Sequence, residues 1–168
     1  MPCEEKMSWI FNIIQILLRY FGKNMDSLNA ENTTAWYKIA LKELGVKEFR
    51  GAENPRIIEY HQETTLKADE DEISWCSAFV NWVMKQAGHQ GTRSALARSW
   101  LKWGREVKAP YKGCIVVFER GESWQGHVGF FVHEENGMIG CLGGNQSDAV
   151  SIAYYPKSRV LGYREPTP

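Results

Sequence analysis

The sequence lacks several features that would assign it to a class at once. Its four cysteines, Cys3, Cys76, Cys114 and Cys141, form no CxxC pair, so neither a zinc knuckle nor a dense disulfide framework is written into it. Neither charge sign is in surplus, because twenty lysines and arginines balance twenty aspartates and glutamates. That balance argues against nucleic acid or an anionic lipid surface as the partner of the whole molecule. Long apolar runs are missing too. The stretch from Trp9 to Phe21 is interrupted by Asn12, Gln15 and Arg19 and falls short of the roughly 20 residues that a spanning helix requires. No internal repeat and no low-complexity tract occurs.

What remains is a 168-residue chain, 43% hydrophobic and 24% charged, which fits one compact domain around a single core. Residues 1–32 read as an apolar helix and a linker, and residues 33–168 as the main domain. In the first segment Trp9, Ile13, Leu17 and Phe21 lie along one helix edge, and the stretch from Lys23 to Thr33 is polar. An export signal or a membrane-surface helix is the other reading. The mixed charge of Glu4, Glu5 and Lys6, and the absence of a small-x-small site after Phe21, count against a signal peptide.

In the main domain Thr34 can cap a helix over Ala35 to Leu44, closed by Gly45, and Asn54-Pro55 opens a short helix through Tyr60. The acidic run from Lys67 to Glu72 should lie on the surface. From Cys76 to Ala87, Phe79, Val80, Val83 and Met84 form a helical stripe stopped by Gly88. A further helix is expected over Ala95 to Trp103. After Pro110 the period changes. Runs beginning at Cys114, His127, Met138 and Val150 are rich in β-branched and aromatic residues, as in a meander of antiparallel strands. Helices first and a small sheet afterwards make an α+β domain.

The chemistry centres on Cys76, the residue at which the most regular helix begins. Unpaired N–H groups and the positive end of the helix dipole should lower its thiol pKa and could cradle an oxyanion. Cys114 and Cys141 lie in apolar runs and read as core residues. A thiol nucleophile needs a base, and His127, between Gly126 and Gly129 at a strand start, is preferred to His133, which neighbours Glu134 and Glu135. The imidazole must be held in one tautomer by a third polar group. Asn145 is the first choice, with Gln146, His133 and Asp148 as substitutes. A Gly-Gly-Asn tripeptide is also an ordinary turn. Trp75 and Trp124 lie nearest these residues and are the candidates to line a substrate groove, with Gln146 a further contact. Arg93 and Arg98 could meet substrate carboxylates.

Three blocks, Trp75-Cys-Ser-Ala-Phe-Val-Asn-Trp82, Gly126-His-Val-Gly-Phe130 and Leu142-Gly-Gly-Asn-Gln146, resemble the signatures of NlpC-type and CHAP-type papain-fold peptidoglycan hydrolases. The likeness covers roughly Thr33 to Arg164 and is nearest to a phage-associated branch. It implies a papain-like fold with N-terminal helices packed on a small antiparallel sheet. It further implies Cys76 as nucleophile, His127 as general base and Asn145 as the orienting residue, in an enzyme that needs no cofactor or metal. The pattern departs from both subfamilies at the third position. The histidine of the commoner NlpC pattern is replaced near Cys141 or Leu142, and the glutamate often found in CHAP enzymes by Gly143. Some CHAP enzymes bind calcium before the nucleophile, yet Asp69, Glu70, Asp71 and Glu72 match that spacing poorly and read as a solvated loop.

The expected substrate is the peptidoglycan stem peptide, cut at an amide bond by a monomer that acts in the periplasm or on the cell wall and is made in the cytoplasm without a clear signal peptide. A phage lysis enzyme and a secreted antibacterial effector both fit, and the latter leaves room for an immunity or delivery protein. Two other readings compete. One is a cysteine acyltransferase or thioesterase on another substrate, and the other a non-catalytic wall-binding module in which Cys76 is merely a core residue.

Overall fold

The computed structural model describes residues 33–70 and 74–168, and the main compact unit runs from Thr34 to Pro168. The helix and linker expected over residues 1–32 lie outside the described residues. Three α-helices come first: α1 (Ala35–Lys42), α2 (Pro55–His61) and α3 (Cys76–Gln86). They start where local chemistry directs. Thr34 accepts a hydrogen bond from the Tyr37 N–H at 3.4 Å and Asn54 accepts one from Arg56 at 2.9 Å, each satisfying an orphan donor of the first turn. Among the described residues no helix is long and apolar enough to cross a membrane.

Six strands follow: β1 (Arg105–Glu106), β2 (Ile115–Glu119), β3 (Gly126–Glu135), β4 (Met138–Gly143), β5 (Ser151–Pro156) and β6 (Val160–Glu165). They form one sheet in the order β1-β6-β2-β3-β4-β5, with every pair antiparallel. This is the expected α+β arrangement, with helices first and a small antiparallel sheet after them. Strand alternation divides the interior in two. Ile115, Val117, Val128, Phe130 and Leu142 join a core with Trp75, Phe79, Val83 and Trp100, whereas Cys114, Val116, Phe118, Ile139 and Cys141 form a second cluster.

Two expectations need correction. The helix expected over Ala95 to Trp103 is a 3-10 helix, Ala97–Lys102. In that tighter winding residues three apart eclipse, which turns Ala97 and Trp100 inward together, and the Trp100 indole donates to the Ser77 hydroxyl at 2.9 Å. Strands β1 and β6 had no counterpart in the sequence pattern. β1 has only two residues, and β6 interrupts its apolar alternation with Gly162, Arg164 and Glu165.

The turn after β4 is fitted against α3 with no space to spare. A Cβ on Gly144 would lie 2.5 Å from the Trp75 ring and 2.8 Å from Phe79 Cβ. Gly144→Ala should therefore destabilise the domain by about 1–3 kcal/mol through overpacking, read as a lower midpoint in urea denaturation. An unchanged midpoint would show that this contact does not constrain the turn.

Candidate active site

Helix α3 delivers Cys76 as its first residue, buried at 3% exposure and unpaired with any other cysteine. Its sulfur receives N–H groups from Val128 and Ser77 and the hydroxyl of Ser74. Val128 directly follows His127 on β3, so the helix start and the strand start converge and the two expected reactive residues are brought together. The thiol pKa, however, runs opposite to expectation. Burial pushes it above its ordinary value, outweighing the surrounding donors and the Arg120 guanidinium. Desolvation of a thiolate costs more here than the helix terminus and these donors return.

His127 is equally enclosed, at 3% exposure, with Phe118 and Tyr155 packed beside it at ring distances of 6.3 and 5.1 Å. Burial pulls its pKa down to about 4; the hydrogen bond it donates to Gln146 opposes this, and the cations of Arg120 and Arg159 add to it. At neutral pH the resting pair is thus a neutral imidazole beside a neutral thiol. That is the protonation state in which the imidazole can accept the sulfur's proton.

Gln146 holds the ring. Its Oε1 lies 3.0 Å from His127 Nε2 and accepts the Tyr155 hydroxyl at 3.0 Å. Its Nε2 donates to the carbonyls of Cys141 at 3.3 Å and Ser151 at 2.5 Å. Two backbone carbonyls fix which end of the amide is the donor, so Oε1 must face the histidine. The imidazole proton then sits on Nε2, which leaves Nδ1 as the basic nitrogen.

The third position predicted from sequence is therefore displaced by one residue. Asn145 makes no hydrogen bond to His127; it sits in the left-handed region with φ 54°, a conformation that asparagine tolerates. With Ser147 and Asp148 also at positive φ, and the Gln146 N–H bonded to Ala149 O at 2.9 Å, Asn145 serves a tight turn that points the next side chain inward. Gln146, expected to contact substrate, is 6% exposed and its amide is committed to protein groups. Trp75 is corrected likewise. It is fully buried, donates to Glu48 Oε1 at 2.8 Å and packs on Tyr60, so it belongs to the core.

Trp124 is 62% exposed and lines an open groove of about 590 Å³ beside Cys76, together with Ser74, Leu96, Ala97, Arg120 and Gly126. Arg98 does not reach this space as a free cation, because its Nε donates to Gln125 O at 2.5 Å and supports the groove's rim. Arg93 lines a different cavity, with Lys67, Asn81 and Lys85. His133 packs against Tyr154 farther along β3. Cys114 and Cys141 are buried in the second cluster. Among the described residues no group of three or more His, Cys, Asp or Glu side chains is placed to hold a metal ion. Two signals that the sequence reading passed over, Tyr155 and Arg120, carry no motif of their own and become visible only through what they adjoin.

Residues 68–145 match the family model described as the CHAP domain. That segment, somewhat under half of the chain, is similar to the CHAP family. The matched segment contains both Cys76 and His127 and ends one residue before Gln146. Among solved structures, the chain is similar to one described as similar to lipoprotein, NLP/P60 family, from Staphylococcus aureus. The identity is 18% over 79% of this chain, with a TM-score of 0.47, and the match spans 40% of that protein's length. No curated protein matches the sequence.

The depressed His127 pKa links the domain's stability to pH. The folded value, about 4, lies below the ordinary 6.5. The unfolded chain therefore binds more protons between those values, and stability is lost as pH falls from 6.5 through 4. The loss attributable to this residue is about 3 kcal/mol. Urea denaturation of the wild type and His127→Gln across that range should show the wild type losing stability more steeply, and parallel curves would contradict the buried neutral imidazole.

Proposed function

We propose that this protein hydrolyses an amide bond of the peptidoglycan stem peptide, with Cys76 as nucleophile and His127 as general base. The observation that carries this reading is the 3.0 Å contact between His127 Nε2 and Gln146 Oε1, which leaves Nδ1 as the basic nitrogen on a strand whose next residue, Val128, donates its N–H to the Cys76 sulfur. In the first step Nδ1 takes the thiol proton while the sulfur attacks the carbonyl carbon. The tetrahedral oxyanion is held by N–H groups of the first turn of α3. As the C–N bond breaks, the imidazolium returns its proton to the departing amine and leaves a thioester. Water then gives a proton to the imidazole and attacks the thioester, releasing the acid and the free thiol. Gln146 and Tyr155 are positioning residues in this scheme.

The setting follows from the substrate. The protein acts in the periplasm or on the wall, as a phage lysis enzyme or a delivered antibacterial effector, and in the second case an immunity or delivery protein accompanies it. It works as a monomer.

Purified protein should clear cell-wall suspensions and release new amino termini, and Cys76→Ala should abolish both; clearing that persists in this variant would sink the mechanism. The acid limb of kcat/KM should fall near pH 4, where His127 takes up its proton, with the alkaline limb above the usual thiol range. Gln146→Ala should lower kcat by about 100-fold, in the range of lost orienting groups, and distort the acid limb. Asn145→Gly, which keeps the left-handed backbone accessible, should stay within about threefold of wild type. Equal losses in the two variants would return the orienting role to Asn145.

A further inference from the structure

We infer that Arg120 and Trp124 form a subsite for a carboxylate-bearing residue next to the scissile amide. This inference rests on the proposed hydrolase reading and names the class of stem peptide the groove selects. The groove beside Cys76 is lined by Ser74, Leu96, Ala97, Trp124, Gly126 and a single cation, Arg120. Among the described residues no acidic side chain lines it and Arg120 has no ion-pair partner. A guanidinium in a concave site beside the nucleophile is a fork for a planar anion. It shares the groove wall with Cys76, and its charge bears on both Cys76 and His127.

The segment that carries both residues is built in advance. Glu122 N–H donates to Gln125 Oε1 at 3.0 Å, Gln125 N–H donates to Glu122 O at 2.9 Å, and Arg98 grips Gln125 O. Gly121 lies at φ +51°, where a Cβ would collide with Gln125 Oε1. Little ordering is left for a ligand to impose on this loop, which favours selective binding. The floor of Ala95, Ala97 and Gly126 leaves room for an extended peptide, and the exposed face of Trp124 offers it a wall.

The probes are L-alanyl-γ-D-glutamyl-L-lysine and the same tripeptide with the glutamyl α-carboxylate converted to a carboxamide. Titrated calorimetrically into Cys76→Ser protein, the acid should bind about tenfold more tightly than the carboxamide, in the range of a charge-assisted pair. The preference should shrink as salt is raised. Adding Arg120→Gln should bring the ratio close to one, and Arg120→Lys should leave an intermediate ratio because the bidentate fork is lost. Equal affinity for the two peptides, or a preference that survives Arg120→Gln, overturns the subsite. Because binding is read in a protein without the nucleophilic thiol, failure of the hydrolase reading shows separately, as wall suspensions that wild-type protein does not clear.

Discussion

The arrangement depends on one amide whose orientation is not free. Gln146 gives both Nε2 protons' worth of donation to main-chain carbonyls on β4 and β5, and those carbonyls are fixed by the sheet itself. Oε1 is thereby turned towards His127, which fixes the tautomer and with it the identity of the basic nitrogen. Tyr155, from β5, donates to the same oxygen and flanks the ring. The protonation chemistry of the site is in this sense a consequence of strand pairing. A side-chain carboxylate in that position would instead favour the imidazolium, whereas a neutral amide within a buried cluster leaves the imidazole uncharged.

Burial sets the second constraint. Both reactive side chains are almost wholly enclosed, so the charged forms of both are disfavoured, the thiol upward and the imidazole downward. Local donors at the start of α3 work against this for the sulfur but do not overcome it. The resting site therefore stores no thiolate–imidazolium pair, and proton transfer belongs to the attack step. The cation of Arg120 lies on the open side, where it biases both groups and meets whatever enters the groove.

Much of this organisation was legible in the order of residues. Thr34, Asn54-Pro55 and the stripe from Phe79 to Met84 mark three helices because caps and apolar period are local properties. The β-branched and aromatic runs of β2 to β5 are equally local. The convergence of Cys76 and His127 could be read from two motif blocks and their order. The 3-10 winding at Ala97–Lys102 could not, because an α-helix and a 3-10 helix share their local preferences and the choice was made by burial of Trp100 against Ser77. Strand β6 escaped for a related reason. Its alternation is weak, and its place in the sheet comes from pairing with β1 and β2.

The sequence by itself determined the helix starts, the α+β order, the cysteine at the head of α3 and the histidine at the head of β3. The tertiary structure alone decided which neighbour holds the imidazole, on which side of it the proton rests and which way the thiol's acidity moves. Adjacent residues Asn145 and Gln146 offer the same amide chemistry to a reader of the sequence. Only the left-handed turn, which spends asparagine on backbone conformation and turns glutamine inward, separates them. Acidity is likewise a property of surroundings, since the burial of His127 comes from residues such as Phe118 and Tyr155 on other strands, which no local pattern brings together.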